Sequence, residues 1–100
     1  MKKTEAQELA TKIVDKLGSY EHIEVDDMEK DYKLETPADL KDFTPDKSKH
    51  HVFRFTELGY GIVGADKDKK VAKAQVVDVL AADLISGDLV LADGWAENNL

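Results

Sequence analysis

Two stretches of the chain repeat their apolar residues at three- and four-residue steps, the spacing that stacks side chains on one face of an α-helix. In residues 4–17 these are Ala6, Leu9, Ala10, Ile13, Val14 and Leu17. Thr4 with Gln7 three positions on is a capping-box pattern, and Gly18 is a natural stop. In residues 69–86 the face is Ala74, Val77, Leu80, Ala81 and Leu84, widened by Val76, Val79 and Ile85. Asp66 or Asp68 suits the start of that helix, since a carboxylate there accepts a free backbone N–H and meets the positive end of the dipole. Gly87 suits its end in a left-handed conformation. Asp78 and Asp83 fall off the apolar arc and are expected to be solvated.

A two-residue period replaces the helical one in the middle of the chain. Val52-Phe53-Arg54-Phe55-Thr56 is β-branched and aromatic, with Phe53 and Phe55 on one face and Val52, Arg54 and Thr56 on the other. Leu58-Gly59 turns the chain and residues 60–65 return, so 51–65 is predicted as a hairpin, with Gly61 and Gly64 marking a bulge or a close backbone approach. The short apolar run 89–92 is a candidate third strand. Residues 19–34 read as a strand, with Ile23 and Val25 sharing a face, and then a polar loop. Thr36 and Pro37 open a short helix near 37–43, docked by Leu40 and Phe43. Residues 44–49 form a loop, and 94–100 are a flexible tail unless Trp95 packs back on the core. The expected fold is α+β: a small antiparallel sheet covered on one face by helices 4–17 and 69–86. The alternative is a mostly helical chain with a single hairpin.

Composition narrows this picture. One hundred residues, 42% hydrophobic and 35% charged, make one domain spanning 1–100 with a single modest core. The absence of cysteine excludes a disulfide framework and thiolate chemistry, and agrees with a cytoplasmic setting. Met1-Lys2-Lys3 is followed by Thr4-Glu5-Ala6-Gln7-Glu8 instead of an apolar segment, so no signal peptide is expected. Nor does any apolar run approach the roughly 20 residues that span a bilayer.

The net charge of −7 opposes binding to a phosphate backbone. Acids concentrate in 21–35, where Glu24, Asp26, Asp27, Glu29 and Asp31 form a candidate acidic surface for a basic partner. After Lys73 no basic residue follows, while Asp78, Asp83, Asp88, Asp93 and Glu97 remain.

Two motifs carry sharper implications. Gly59-Tyr60-Gly61-Ile62-Val63-Gly64 matches G-x-G-x-x-G, with a strand before it and a helix, a strand and Asp93 after it. In a dinucleotide site such glycines let backbone N–H groups reach a pyrophosphate. Against this, the helix begins too far past Gly64 for that residue to seat helix on strand, Asp66 and Asp68 would repel phosphate, and too little chain follows Asp93 to complete a nucleotide-binding sheet. A glycine-rich hairpin is the expected reading. The acids Asp78, Asp83, Asp88 and Asp93 are spaced by five, and Ala82-Asp83-Leu84 and Gly87-Asp88-Leu89 resemble units of the pentapeptide-repeat family. That resemblance implies a square β-helix and, as in some acidic members, mimicry of duplex DNA. A solenoid needs several stacked units, however, and the helical period explains the same residues while supplying caps.

Other chemistry is sparse. His22, His50 and His51 are the histidines, and the last two point to opposite faces of a strand, so they do not converge on one ion. Asp66-Lys67-Asp68 lacks the glycine and terminal Glu of a calcium loop. Ser19, Ser48 and Ser86 sit in turn or cap contexts, outside any G-x-S-x-G elbow. The expectation is a non-enzymatic cytoplasmic interaction or accessory protein, with no cofactor, no metal and no catalytic residue, that meets a basic protein partner; a sheet edge leaves room for a homodimer. The alternatives are a nucleotide or other phosphate ligand on Gly59, Gly61 and Gly64, or an acidic nucleic-acid mimic.

Overall fold

The computed structural model describes residues 1–24, 33–37, 49–55, 58, 60–64, 66 and 68–100. Among them the elements run α1 (Lys3–Leu17), β1 (Ser19–Glu24), β2 (Lys33–Glu35), β3 (Lys49–Phe55), β4 (Tyr60–Gly64), α2 (Lys69–Ser86) and α3 (Trp95–Asn99). The fold is α+β. Its sheet has the order β1-β3-β4-β2. β3 pairs antiparallel with both β1 and β4, and β2 adds to β4 in parallel. The expected hairpin is present, with Phe53 opposite Ile62 and Phe55 opposite Tyr60.

The third antiparallel strand is β1, not residues 89–92, which form no strand. The reason is local. Gly87 turns left-handed at φ 88°, and the Leu89 amide is committed to the Asp83 carbonyl at 3.1 Å, closing the end of α2. The parallel strand β2 has no counterpart in the sequence reading, because three residues carry too little periodicity to be legible. The helix expected near 37–43 lies largely outside the described residues; Thr36 and Pro37 are not helical, and Pro37 is buried.

The two long helices lie together over one face of the sheet. They run antiparallel, since Asp15 of α1 meets Lys73 of α2 while Gln7 meets Asp78. The Asp15–Lys73 pair is half exposed on both sides and contributes little, as surface ion pairs do. α1 buries Ala6, Ala10, Ile13 and Val14, the face its spacing predicts. Its start departs from the prediction. The helix begins at Lys3 with no side-chain cap, and Gln7 Nε2 donates to Asp78 Oδ1 at 3.0 Å instead of completing a capping box with Thr4.

α2 has the predicted bounds and caps, with Asp68 accepting from the Lys70 N–H at 2.8 Å and Asp66 accepting from the Asp68 N–H at 2.9 Å. Asp68→Ala should therefore cost about 1 kcal/mol of stability, read from the urea midpoint; an unchanged midpoint would show that the cap is not used. The buried face of α2 is Ala72, Val76, Val77, Leu80, Ala81 and Leu84. Ala74 is exposed and Ile85 is 48% exposed, so the helix is rotated from the expected arc. Apolar residues nearly encircle α2, and its own period does not choose which side turns inward.

The core combines these helix faces with Phe53, Phe55 and Ile62 of the sheet. On the opposite sheet face Val52 and Val63 stand across from each other and are also buried, so β3 and β4 have dry side chains on both faces. Beyond Gly87 the chain returns toward α1. Leu89, Leu91, Trp95 and Leu100 pack half-buried against the core.

Candidate functional site

The glycine-rich element is a strand. Gly61 and Gly64 lie in β4, hydrogen-bonded between β3 and β2, while Gly59 lies outside the described residues. Gly64 has a definite structural task. A Cβ there would stand 2.5 Å from the Ala72 carbonyl oxygen and 2.8 Å from both Ala72 Cα and Cβ. It seats the first turn of α2 directly on the sheet, which corrects the expectation that this helix starts too late to use it. Gly61 and Gly64 are both buried.

The histidine in the described core is His51, 2% exposed. Its ring lies 5.1 Å from that of Tyr20, which is itself 5.5 Å from Phe53 and carries Lys69 Nζ 4.1 Å over its face. This is a packed aromatic cluster with a cation on its rim, joining β1, β3 and the start of α2. Among the described residues no group of three His, Asp or Glu side chains is placed to hold a metal ion. No helix among them is long and apolar enough to cross a membrane. Ser19 Oγ donates across the sheet to the Arg54 carbonyl at 3.4 Å, and Ser86 Oγ donates to Asp88 Oδ2 at 3.0 Å at the end of α2. Ser48 lies outside the described residues.

Of the candidate acidic surface, Glu24 ends β1 opposite Lys49. Asp26, Asp27, Glu29 and Asp31 lie outside the described residues. The acids that the fold does bring together belong to α2 and what surrounds it. Asp78 and Asp83 line a cleft of about 480 Å³ with Glu35, over a floor of Pro37, Val79 and Ala82. Asp78 is exposed as expected, whereas Asp83 is half-buried. Glu35 was not singled out by the sequence, because its approach to α2 spans more than forty positions and leaves no local signal.

A second opening, of about 380 Å³, lies at the far end of α2. Leu9, Leu84, Leu89 and Leu91 make its apolar lining with the exposed Met1 and Val90, and Asp93 and Glu97 are its charged side chains. Val90 is 79% exposed and Met1 is 61% exposed. Of the acids spaced by five, Asp78 and Asp83 line the first cleft and Asp93 the second, Asp88 lines neither, and no β-helix is built. These openings are apolar hollows with carboxylates at their edges, suited to cationic amphiphilic groups and not to anions.

No protein-family model matches the chain, and neither a curated protein nor a solved structure matches it significantly.

Proposed function

We propose that the protein is a non-enzymatic cytoplasmic interaction module that binds a basic protein partner through the surface built on α2 and the segment after it. One observation carries this reading. The chain beyond Lys73 has five acids and no base, and Asp78, Asp83, Asp93 and Glu97 stand beside apolar hollows instead of being scattered evenly. Carboxylates in that setting steer a cationic surface and specify its register, while the hollows supply contact area. The negative potential also suits a protein that otherwise holds duplex DNA, which is the form this reading takes if the partner is displaced by DNA.

The experiment uses the immobilised full chain and a variant carrying Asp78→Asn, Asp88→Asn, Asp93→Asn and Glu97→Gln. Basic proteins should be recovered from extract at low salt, several-fold less at 0.5 M salt, and less by the variant. Recovery indifferent to both salt and neutralisation would remove the proposal.

A further inference from the structure

The groove at the C-terminal end of α2 has more definition than a charged surface needs. Its lining is mostly aliphatic, Met1 and Val90 in it are apolar and exposed, and the charged side chains that line it, Asp93 and Glu97, are both acidic. The helix end adds to that sign. α2 has no basic residue in its last turn, so no cationic side chain there offsets the negative end of its dipole, where Leu84 and Gly87 line the groove. Among the described residues that line the groove there is no Lys or Arg; Lys2 and Lys3, which follow Met1 in the chain, are exposed. The charged side chains that line the groove are therefore acidic, Asp93 and Glu97.

We propose that this groove receives a short cationic amphipathic helix from a partner protein. Its apolar residues, one helical turn apart, lie on Leu84, Leu91 and Val90. Its Lys or Arg residues lie over Asp93 and Glu97. Charge complementarity selects this occupant over the others. A second copy of this chain carries a net charge of −7 and would bring like charge to the acidic side. An anionic lipid surface and a nucleic acid are repelled by the same carboxylates. The inference rests on the basic-partner reading and adds to it a site, an occupant conformation and an orientation.

The test titrates the full-length protein, labelled for amide NMR, with two synthetic peptides of equal length and charge. One places Leu or Ile at i, i+3, i+4 and i+7 with Lys on the other face. The other replaces those apolar residues with Ser and Gln. The amphipathic peptide should shift amides of residues 84–97, gain helix on binding, and bind at least about tenfold more tightly than its polar counterpart. Val90→Ser, at a position too exposed to matter for folding, should weaken it about five- to tenfold. Asp93→Asn with Glu97→Gln should weaken it and flatten its salt dependence. Equal affinity for the two peptides, or shifts confined to other parts of the chain, would overturn the groove while leaving the basic-partner reading in place. Binding of neither peptide would overturn both. Sedimentation showing a dimer in which residues 84–97 are protected would also overturn it, in favour of a second copy.

Discussion

Phe55→Ala should lower the unfolding free energy by about 3–5 kcal/mol, the range for removing a buried phenyl ring and leaving a cavity. Phe55 is fully buried at the end of β3, where the hairpin, α1 and the turn into β1 converge. The packing there is close: a Cβ at Gly18 would stand 3.1 Å from Phe55 Cε1, so the ring fills the space up to the helix terminus. A hole at that point has no flexible neighbour on the Gly18 side to collapse into it. Against a total stability of about 5–15 kcal/mol for an ordinary domain, the loss leaves a marginal protein at best. Urea unfolding monitored by Trp95 fluorescence and by circular dichroism reads the effect, and Phe55→Leu supplies a measurable variant if the alanine form does not fold. Val90→Ser is the control, expected within about 0.5 kcal/mol of the parent because its side chain is already in water. A Phe55→Ala midpoint near that of the parent would mean that the ring is not in the core.

Gly64→Ala should be nearly as damaging, at about 3 kcal/mol, although it adds a single methyl group. Two of the three atoms that the new Cβ would meet are backbone atoms of Ala72, at 2.5 and 2.8 Å, and no rotamer change moves them. Relief requires α2 to lift from β4, which uncovers Ala72 and Val76 together. Ala72→Gly removes the third contact but not the backbone clash, so the double variant should recover only part of the loss; the shortfall is measured by a double-mutant cycle. Gly87→Ala makes the contrast. Nothing lies within 4 Å of a Cβ there, and the φ of +88° alone opposes the side chain, for about 1 kcal/mol. Equal midpoints for the two alanine variants would show that the contact between helix and strand is not what Gly64 provides.

These two positions mark what local pattern can and cannot reveal. Helix bounds were legible because a 3.6-residue period, a capping carboxylate and a terminal glycine are local signals; α2 runs Lys69–Ser86 as its sequence predicts. The hairpin was legible from alternating aromatic residues and a turn. The rotation of α2 was not, because the exposed Val71, Ala74 and Ile85 are as apolar as several residues that end up inside. The absence of a side chain at Gly64 leaves room for Ala72 against the strand, and Ala74, two positions on, faces solvent. The run 89–92 looked like a strand by composition, yet its first amide was claimed by the helix end before any ladder could form. The acidic clefts divide in the same way. The sign of the charge after Lys73 is plain in the chain, whereas the meeting of Glu35 with Asp78, or of Leu9 with Leu91 and Glu97, joins distant segments.

Period, capping chemistry and charge act between residues a few positions apart, so the linear chain alone was enough to define two helices, a hairpin, an α+β class and an acidic stretch after Lys73. Which helix face is dry, which strand completes the sheet and which carboxylates border a hollow depend on contacts between residues dozens of positions apart. Those were decided by packing in three dimensions, where the fit of one backbone against another outweighs the preference of any single segment.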